Sequence, residues 1–262
     1  MSRYFGYFRN AVLTELAYRA NYWLRILGTA LAVFVQYYLW LAVYRSSGSA
    51  IRGYSLRDTL TYAIISTALA AFLDLEMRSD RKVRDGSIAL SLSKPADWQT
   101  MTFWESLGHS VFTLLAISLP VWAAALALGA VAPPATPLHG LAFLVSLGLA
   151  YCLLFAFNYL VGLASFWTKA GWGFVEAQAT IVFFFSGTFV PLAMYPGWLE
   201  RITAWLPFSG MYNLPLTVYL GKVGAGEISL VLLQQAAWLI ILVAVSRRLW
   251  WKAVAQLTVQ GG

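Results

Sequence analysis

The chain has 262 residues, of which 60% are hydrophobic, 16% aromatic and only 11% charged. Soluble domains average roughly 45–50% apolar and about 25% charged residues, so this composition excludes an ordinary water-soluble domain and points to an integral membrane protein. A net charge of +7 would suggest nucleic acid in a soluble protein. Here the basic residues flank apolar runs and report orientation in a bilayer instead, so membrane lipids and not nucleic acid are the expected surroundings.

The chain opens with Phe5, Phe8, Val12 and Leu16 at helical spacing. That stripe predicts a helix over residues 1–20 lying in the membrane interface, with the Arg9 and Arg19 stems snorkelling to water. No continuous apolar core and no small-residue cleavage site occur there, so the stretch does not read as a signal peptide. About six runs of ~20 apolar residues come next, each long enough for a hydrocarbon core of roughly 30 Å. They cover Tyr22–Tyr44, Leu56–Leu75, Trp104–Ala130, Leu138–Phe166, Gly173–Val190 and Ile228–Leu249. The expected fold is therefore all-α, one transmembrane domain over residues 1–262. With an even number of spans both termini share a side, and thirteen of the 18 Lys and Arg fall on it. That side is read as cytoplasmic.

Two segments fit neither a span nor an ordinary loop. Between the second and third runs, residues 76–96 read "EMRSDRKVRDGSIALSLSKPA". The charged part can stay helical until Gly86 stops it, Ser87 can cap a new turn, and Pro95 ends the element. Ile88, Leu90 and Leu92 form a small apolar face beside Arg81, Arg84 and Asp85. A short apolar-and-charged knob of this kind suits a groove on a soluble partner. The second segment is 191–224, too apolar for water and broken by Pro191, Pro196, Pro207 and Pro215. Trp198, Ile202 and Trp205 recur at i, i+4 and i+7, which predicts a short amphipathic helix stopped by Pro207. A second short helix is expected over Met211–Leu220. Irregular backbone at membrane depth is tolerated only against protein or a water-filled cavity, so a hairpin dipping into the outer leaflet is expected. The shared face of Trp198 and Trp205 should then meet an apolar neighbour.

The chain carries no H-E-x-x-H, no G-x-S-x-G and no G-x-x-x-x-G-K-[ST], so zinc chemistry, a nucleophile elbow and a P-loop are not expected on it. Cys152 is alone and reads as a small buried hydrophobe. Glu105 and His109 lie four apart and read as an interfacial pair; Asn158 and Gln36 read as interhelical amides. Glu176 and Gln178 open the fifth run, where they line an inner cavity or face a partner subunit. Phe183, Phe184 and Phe185 on the same run line a translocation path or pack in an interface. The bilayer centre holds almost no ionisable group, so energy for uphill transport is expected from another source.

The order of these parts, with "VRDGSIALSLSKP" between the second and third spans and "FFFSGTFVPLAMYPGWLERITAWLPF" leading into the hairpin, is similar to the permease subunits of type-2 ABC exporters. The narrower likeness is to a bacterial branch of unknown substrate with a separate ATPase chain. The resemblance implies that the 76–96 element is the coupling element, with Arg81, Arg84, Asp85, Ile88, Leu90 and Leu92 docking on ABC ATPase subunits. It further implies a second, identical or related, permease copy, a bacterial inner-membrane location, and no catalysis or cofactor on this chain, ATP and Mg residing on the ATPase. The expected cargo is lipophilic, amphipathic or lipid-linked. The alternative is a secondary carrier or channel independent of an ATPase.

Overall fold

A computed structural model of the chain describes residues 2–17, 19–48, 50–75, 97–164 and 171–254. Ten α-helices run through these residues: α1 Ser2–Ala17, α2 Arg19–Ser47, α3 Leu56–Phe72, α4 Trp98–Thr113, α5 Leu119–Ala127, α6 Pro137–Ala164, α7 Gly171–Phe185, α8 Gly197–Trp205, α9 Asn213–Tyr219 and α10 Ile228–Val254. Four stretches are long and apolar enough to cross a membrane: Tyr22–Ser47, Trp98–Ala127, Pro137–Ala164 and Ile228–Ala253. The other two expected spans are shorter as helices, 17 residues in α3 and 15 in α7. At 1.5 Å per residue they extend about 25 and 22 Å, less than the hydrocarbon thickness.

The third span differs from its expected form at both ends of its first half. It begins at Trp98, not Trp104, because Asp97 caps the helix by accepting the Thr100 N–H at 2.8 Å. It then loosens into a π-helical turn at Leu114–Ser118. Pro120 is the cause: it has no N–H to give and crowds the carbonyl four residues back. That carbonyl, on Ala116, instead accepts the Tyr22 hydroxyl from α2 at 3.2 Å.

The hub of the bundle is α3. It buries residues on every side, including Thr59, Tyr62, Ile64 and Ser66. Its polar side chains reach backbone that has no helical partner of its own. The Tyr62 hydroxyl donates to the Gly187 carbonyl at 2.6 Å, and Ser66 donates to the Thr188 carbonyl at 2.6 Å. Thr61 accepts the Ala132 N–H at 2.9 Å. In return Ser118 donates to the Ala68 carbonyl at 2.6 Å. Gly187 sits at φ +78, and a Cβ there would fall 2.9 Å from the Tyr62 oxygen.

The remaining helices also join one another directly. The buried amide of Gln235 on α10 donates to the carbonyls of Ser146 on α6 and Gly210, at 3.1 and 2.8 Å. Helix α1 lies on α4, where Gly108 makes the approach possible: a Cβ would meet the Phe8 carbonyl oxygen at 2.5 Å and the Ala11 Cβ at 2.8 Å. Phe8 packs edge-on against Trp104, while Phe5, Leu13 and Leu16 stay exposed. The expected interfacial stripe is thus divided between a protein-facing and an outward side.

Removing the Tyr62 hydroxyl strands the Gly187 carbonyl in a buried position. Tyr62→Phe is expected to cost about 1–3 kcal/mol, read as a lowered midpoint of thermal unfolding in detergent with the helical signal retained.

Candidate functional site

Residues 76–96, with the expected docking set Arg81, Arg84, Asp85, Ile88, Leu90 and Leu92, lie outside the described residues. What the structure does describe is the joint at which this segment enters α4. Asp97 meets Thr100, Arg247 and Tyr4 there. One carboxylate oxygen accepts the Thr100 N–H at 2.8 Å and its hydroxyl at 2.6 Å. The other takes the Arg247 guanidinium of α10. Its backbone N–H donates to the Tyr4 hydroxyl of α1 at 3.2 Å. The next two residues continue the seam. Trp98 stacks on Trp250, centroids 6.3 Å apart at an interplanar angle of 3°, and Gln99 donates to the Ser246 hydroxyl at 3.0 Å. The start of α4 is therefore joined to α10 and α1 directly beside the segment.

Burial raises the Asp97 pKa, but the Arg247 and Thr100 hydrogen bonds outweigh it and hold the carboxyl below its usual range. A second charged knot lies further along α1 and α4, where α2 joins them. The Glu15 carboxylate of α1 contacts His109 Nδ1 of α4 at 2.9 Å and Arg25 of α2 at 3.8 Å. His109 thus has a long-range partner, which no local spacing could reveal.

The expected path residues sit on α7. Glu176 is exposed, and Gln178 donates its amide to the Asn158 oxygen of α6. This confirms Asn158 as an interhelical amide, whereas the Gln36 oxygen is buried without a hydrogen-bond partner among the described residues. Phe183 and Phe184 are 52% and 47% exposed, while Phe185 turns inward to Phe208, 6.1 Å between centroids. These five residues do not converge on one enclosed site. Gln178 and Phe185 fasten α7 to the bundle, and Glu176, Phe183 and Phe184 face away from it. Cys152 is half-buried. Among the described residues no three His, Cys, Asp or Glu side chains group as a metal site would require.

Long apolar helices around a polar-stitched central helix define a multi-pass membrane protein. The family model for ABC-2 family transporter proteins matches residues 30–261, and the chain belongs to that family. It is accordingly a membrane permease subunit of the ABC transporter type. No curated protein and no solved structure matches it.

The Asp97 joint does not stand out in the sequence. A local signal is present, since Asp followed by "WQT" is an N-cap pattern, but Arg247 counts there as one more positive-inside charge and Tyr4 as part of the interfacial helix. Two variants separate the roles of Asp97. Asp97→Asn keeps an acceptor for the Thr100 N–H and loses the charge pair. Asp97→Ala loses both, and should be less stable than Asp97→Asn by about 1 kcal/mol, the usual worth of a cap. The native Asp97 contribution is full above the unfolded carboxylate value of about 3.9 and is lost as pH falls through its lower folded value. Thermal unfolding of the wild type should therefore show this acid-side loss, and Asp97→Asn should lack that component.

Proposed function

We propose that this chain is the transmembrane subunit of an ATP-driven exporter, working as a pair with a second permease copy and with two separate ATPase chains. The observation that carries the reading is the family match over residues 30–261. The sequence of residues 76–96 supports the coupling role, and the basic excess on the side of the termini supports a cytoplasmic position for that segment in a bacterial inner membrane. In this reading Arg81, Arg84, Asp85, Ile88, Leu90 and Leu92 meet the ATPase. Closure of the ATPases on ATP tilts the segment, and Asp97 passes that tilt into α4, α10 and α1.

The outward residues of α7 are the proposed contribution to the path or to the permease interface. A charged side chain is costly in lipid, so Glu176 favours water or protein beside it over acyl chains. Phe183 and Phe184 supply apolar contact for a lipophilic, amphipathic or lipid-linked cargo moving outward.

If Ile88–Leu92 enters an ATPase groove, its apolar side chains carry the docking energy. A buried Leu contributes roughly 1.5–3 kcal/mol, so losing Leu90 and Leu92 weakens association by ~3 kcal/mol or more, at least a hundredfold. Leu90→Ser combined with Leu92→Ser should lose the co-purifying ATPase while the permease still inserts. Arg81→Ala should keep it, since exposed ion pairs contribute about 0–1 kcal/mol. The opposite pattern, with ATPase retained by the double variant and lost by Arg81→Ala, would show electrostatic docking elsewhere. Transport that persists in the absence of any ATPase would favour a secondary carrier.

In intact cells, membrane-impermeant thiol reagents should reach single cysteines placed at 133–137 but not at 78–94. Inverted vesicles should give the reverse result, and an exchange of the two patterns would overturn the orientation.

A further inference from the structure

The amphipathic helix α8 turns its apolar face outward. Thr203 is fully buried beneath it, while Trp198, Ile202 and Trp205 are 62%, 51% and 80% exposed. The neighbour expected for the two tryptophans is therefore not a span of this chain. At 3.6 residues per turn Arg201 falls on the flank of the same face, about 60° round the helix from Trp198 and at a height between the two tryptophans. Arg201 is exposed, its Nε donates to the Gly197 carbonyl at 3.2 Å, and no acidic side chain pairs with it among the described residues. An outward face of Trp, Arg, Ile and Trp combines aromatic anchors with a cation.

The ends of α8 are held at different levels. Near its start, Glu200 contacts Arg52 of the turn before α3 at 3.7 Å. At its finish, the carbonyls that a helix end leaves without partners are taken by side chains. Gln234 donates to the Ala204 carbonyl at 2.6 Å and the Trp238 indole to the Trp205 carbonyl at 3.0 Å. Ser209 donates to the Leu206 carbonyl at 2.9 Å. Gln234 and Trp238 lie about 9 and 15 Å along α10 from Ile228 at 1.5 Å per residue. Capping terminal carbonyls with protein is what a helix end needs where water is absent. The same stretch of α10 exposes Leu230, Leu233 and Ile240, so the α8 face continues into the apolar exterior of the bundle.

We propose that α8 is an inclined helix bound by the phospholipid of the leaflet that faces this hairpin. Arg201 meets a lipid phosphate, Trp198 sits at the headgroup boundary, and Trp205 lies deeper among acyl chains. Arg suits the phosphate because its guanidinium donates in a planar fork, and an indole suits the boundary because one edge is polar and the rest is not. This inference stands independently of the transport reading.

The test uses the full chain with Cys152→Ser and a single nitroxide at position 198, 202 or 205, in vesicles of phosphatidylcholine and phosphatidylglycerol. Collisions with oxygen, which enters lipid, are compared with those of a water-soluble nickel chelate. The oxygen-to-nickel ratio should rise stepwise from 198 to 202 to 205. Arg201→Glu, repelled by phosphate, should lower the ratio at 198. Equal access of the nickel chelate to all three labels would mean a water-exposed hairpin. Exclusion of both reagents with spin–spin broadening would mean that a second copy covers the face. An unchanged 198 label in Arg201→Glu would remove the phosphate contact. Each of these results would overturn the proposal.

Discussion

The constraint on which this bundle depends is the placing of non-helical backbone at membrane depth. After Phe185 the chain leaves α7 and returns through two 3₁₀ turns and two short helices before α10. Each peptide outside a helix carries a donor and an acceptor that lipid cannot satisfy. The neighbours supply the missing partners. Tyr62 and Ser66 take the Gly187 and Thr188 carbonyls, the Asn213 oxygen takes the Leu192 N–H at 3.1 Å, and Gln235 takes the Gly210 carbonyl. This explains why α3, the most buried of the longer helices, is also among the most polar inside. Thr, Tyr and Ser on a helix in lipid would be a liability if they faced acyl chains, and become the means of holding the hairpin when they face its backbone.

The same requirement shows which parts were legible in the sequence. The apolar runs of α2, α6 and α10 need no partner to be recognised, because length and composition alone suffice. Pro191, Pro196 and Pro207 marked the breaks of the hairpin, since a missing N–H acts locally. The early start of α4 was hidden by its polarity. Gln99, Thr100 and Thr102 leave 98–103 outside the expected span, although Gln99 is buried against Ser246 from a helix nearly 150 positions away. The Glu15 partner of His109 was hidden for the same reason. The periodicity of α8 was correct, but periodicity identifies a face without identifying its medium. Only the burial of Thr203 and the capped carbonyls show that the tryptophans point away from the protein.

Helix α7 contrasts with α3. One amide pair through Gln178, the buried Val182 and the inward Phe185 hold it, while the Tyr195 hydroxyl donates to the Phe184 carbonyl at 2.7 Å near its end. These attachments favour one side, and they leave Ile181, Phe183 and Phe184 exposed. In the sequence the three phenylalanines 183–185 read as one group, lining a path or packing in an interface. The structure divides them, because successive residues on a helix point about 100° apart and only Phe185 reaches Phe208.

Charge is concentrated at the two ends of the bundle, and in the same pattern. At one end Ser55 and Asp58 form a capping box at the start of α3, and Asp58 also takes Lys222, at 2.7 Å, from the turn leading to α10. At the other end Asp97 caps α4 and also takes Arg247 from the last turns of α10. A carboxylate at a helix N-terminus is favoured by the exposed N–H groups and the helix dipole, and it retains an oxygen for a cation. Each cap therefore fastens its helix to the chain on one flank of α10, where water can still reach the pair, while neutral hydrogen bonds hold the interior. Segment 76–96 joins these same two helices. Both helices are anchored through their N-terminal caps to the chain at opposite ends of one long span. Loss of either ion pair would release one cap from its flank of α10 and leave the other in place.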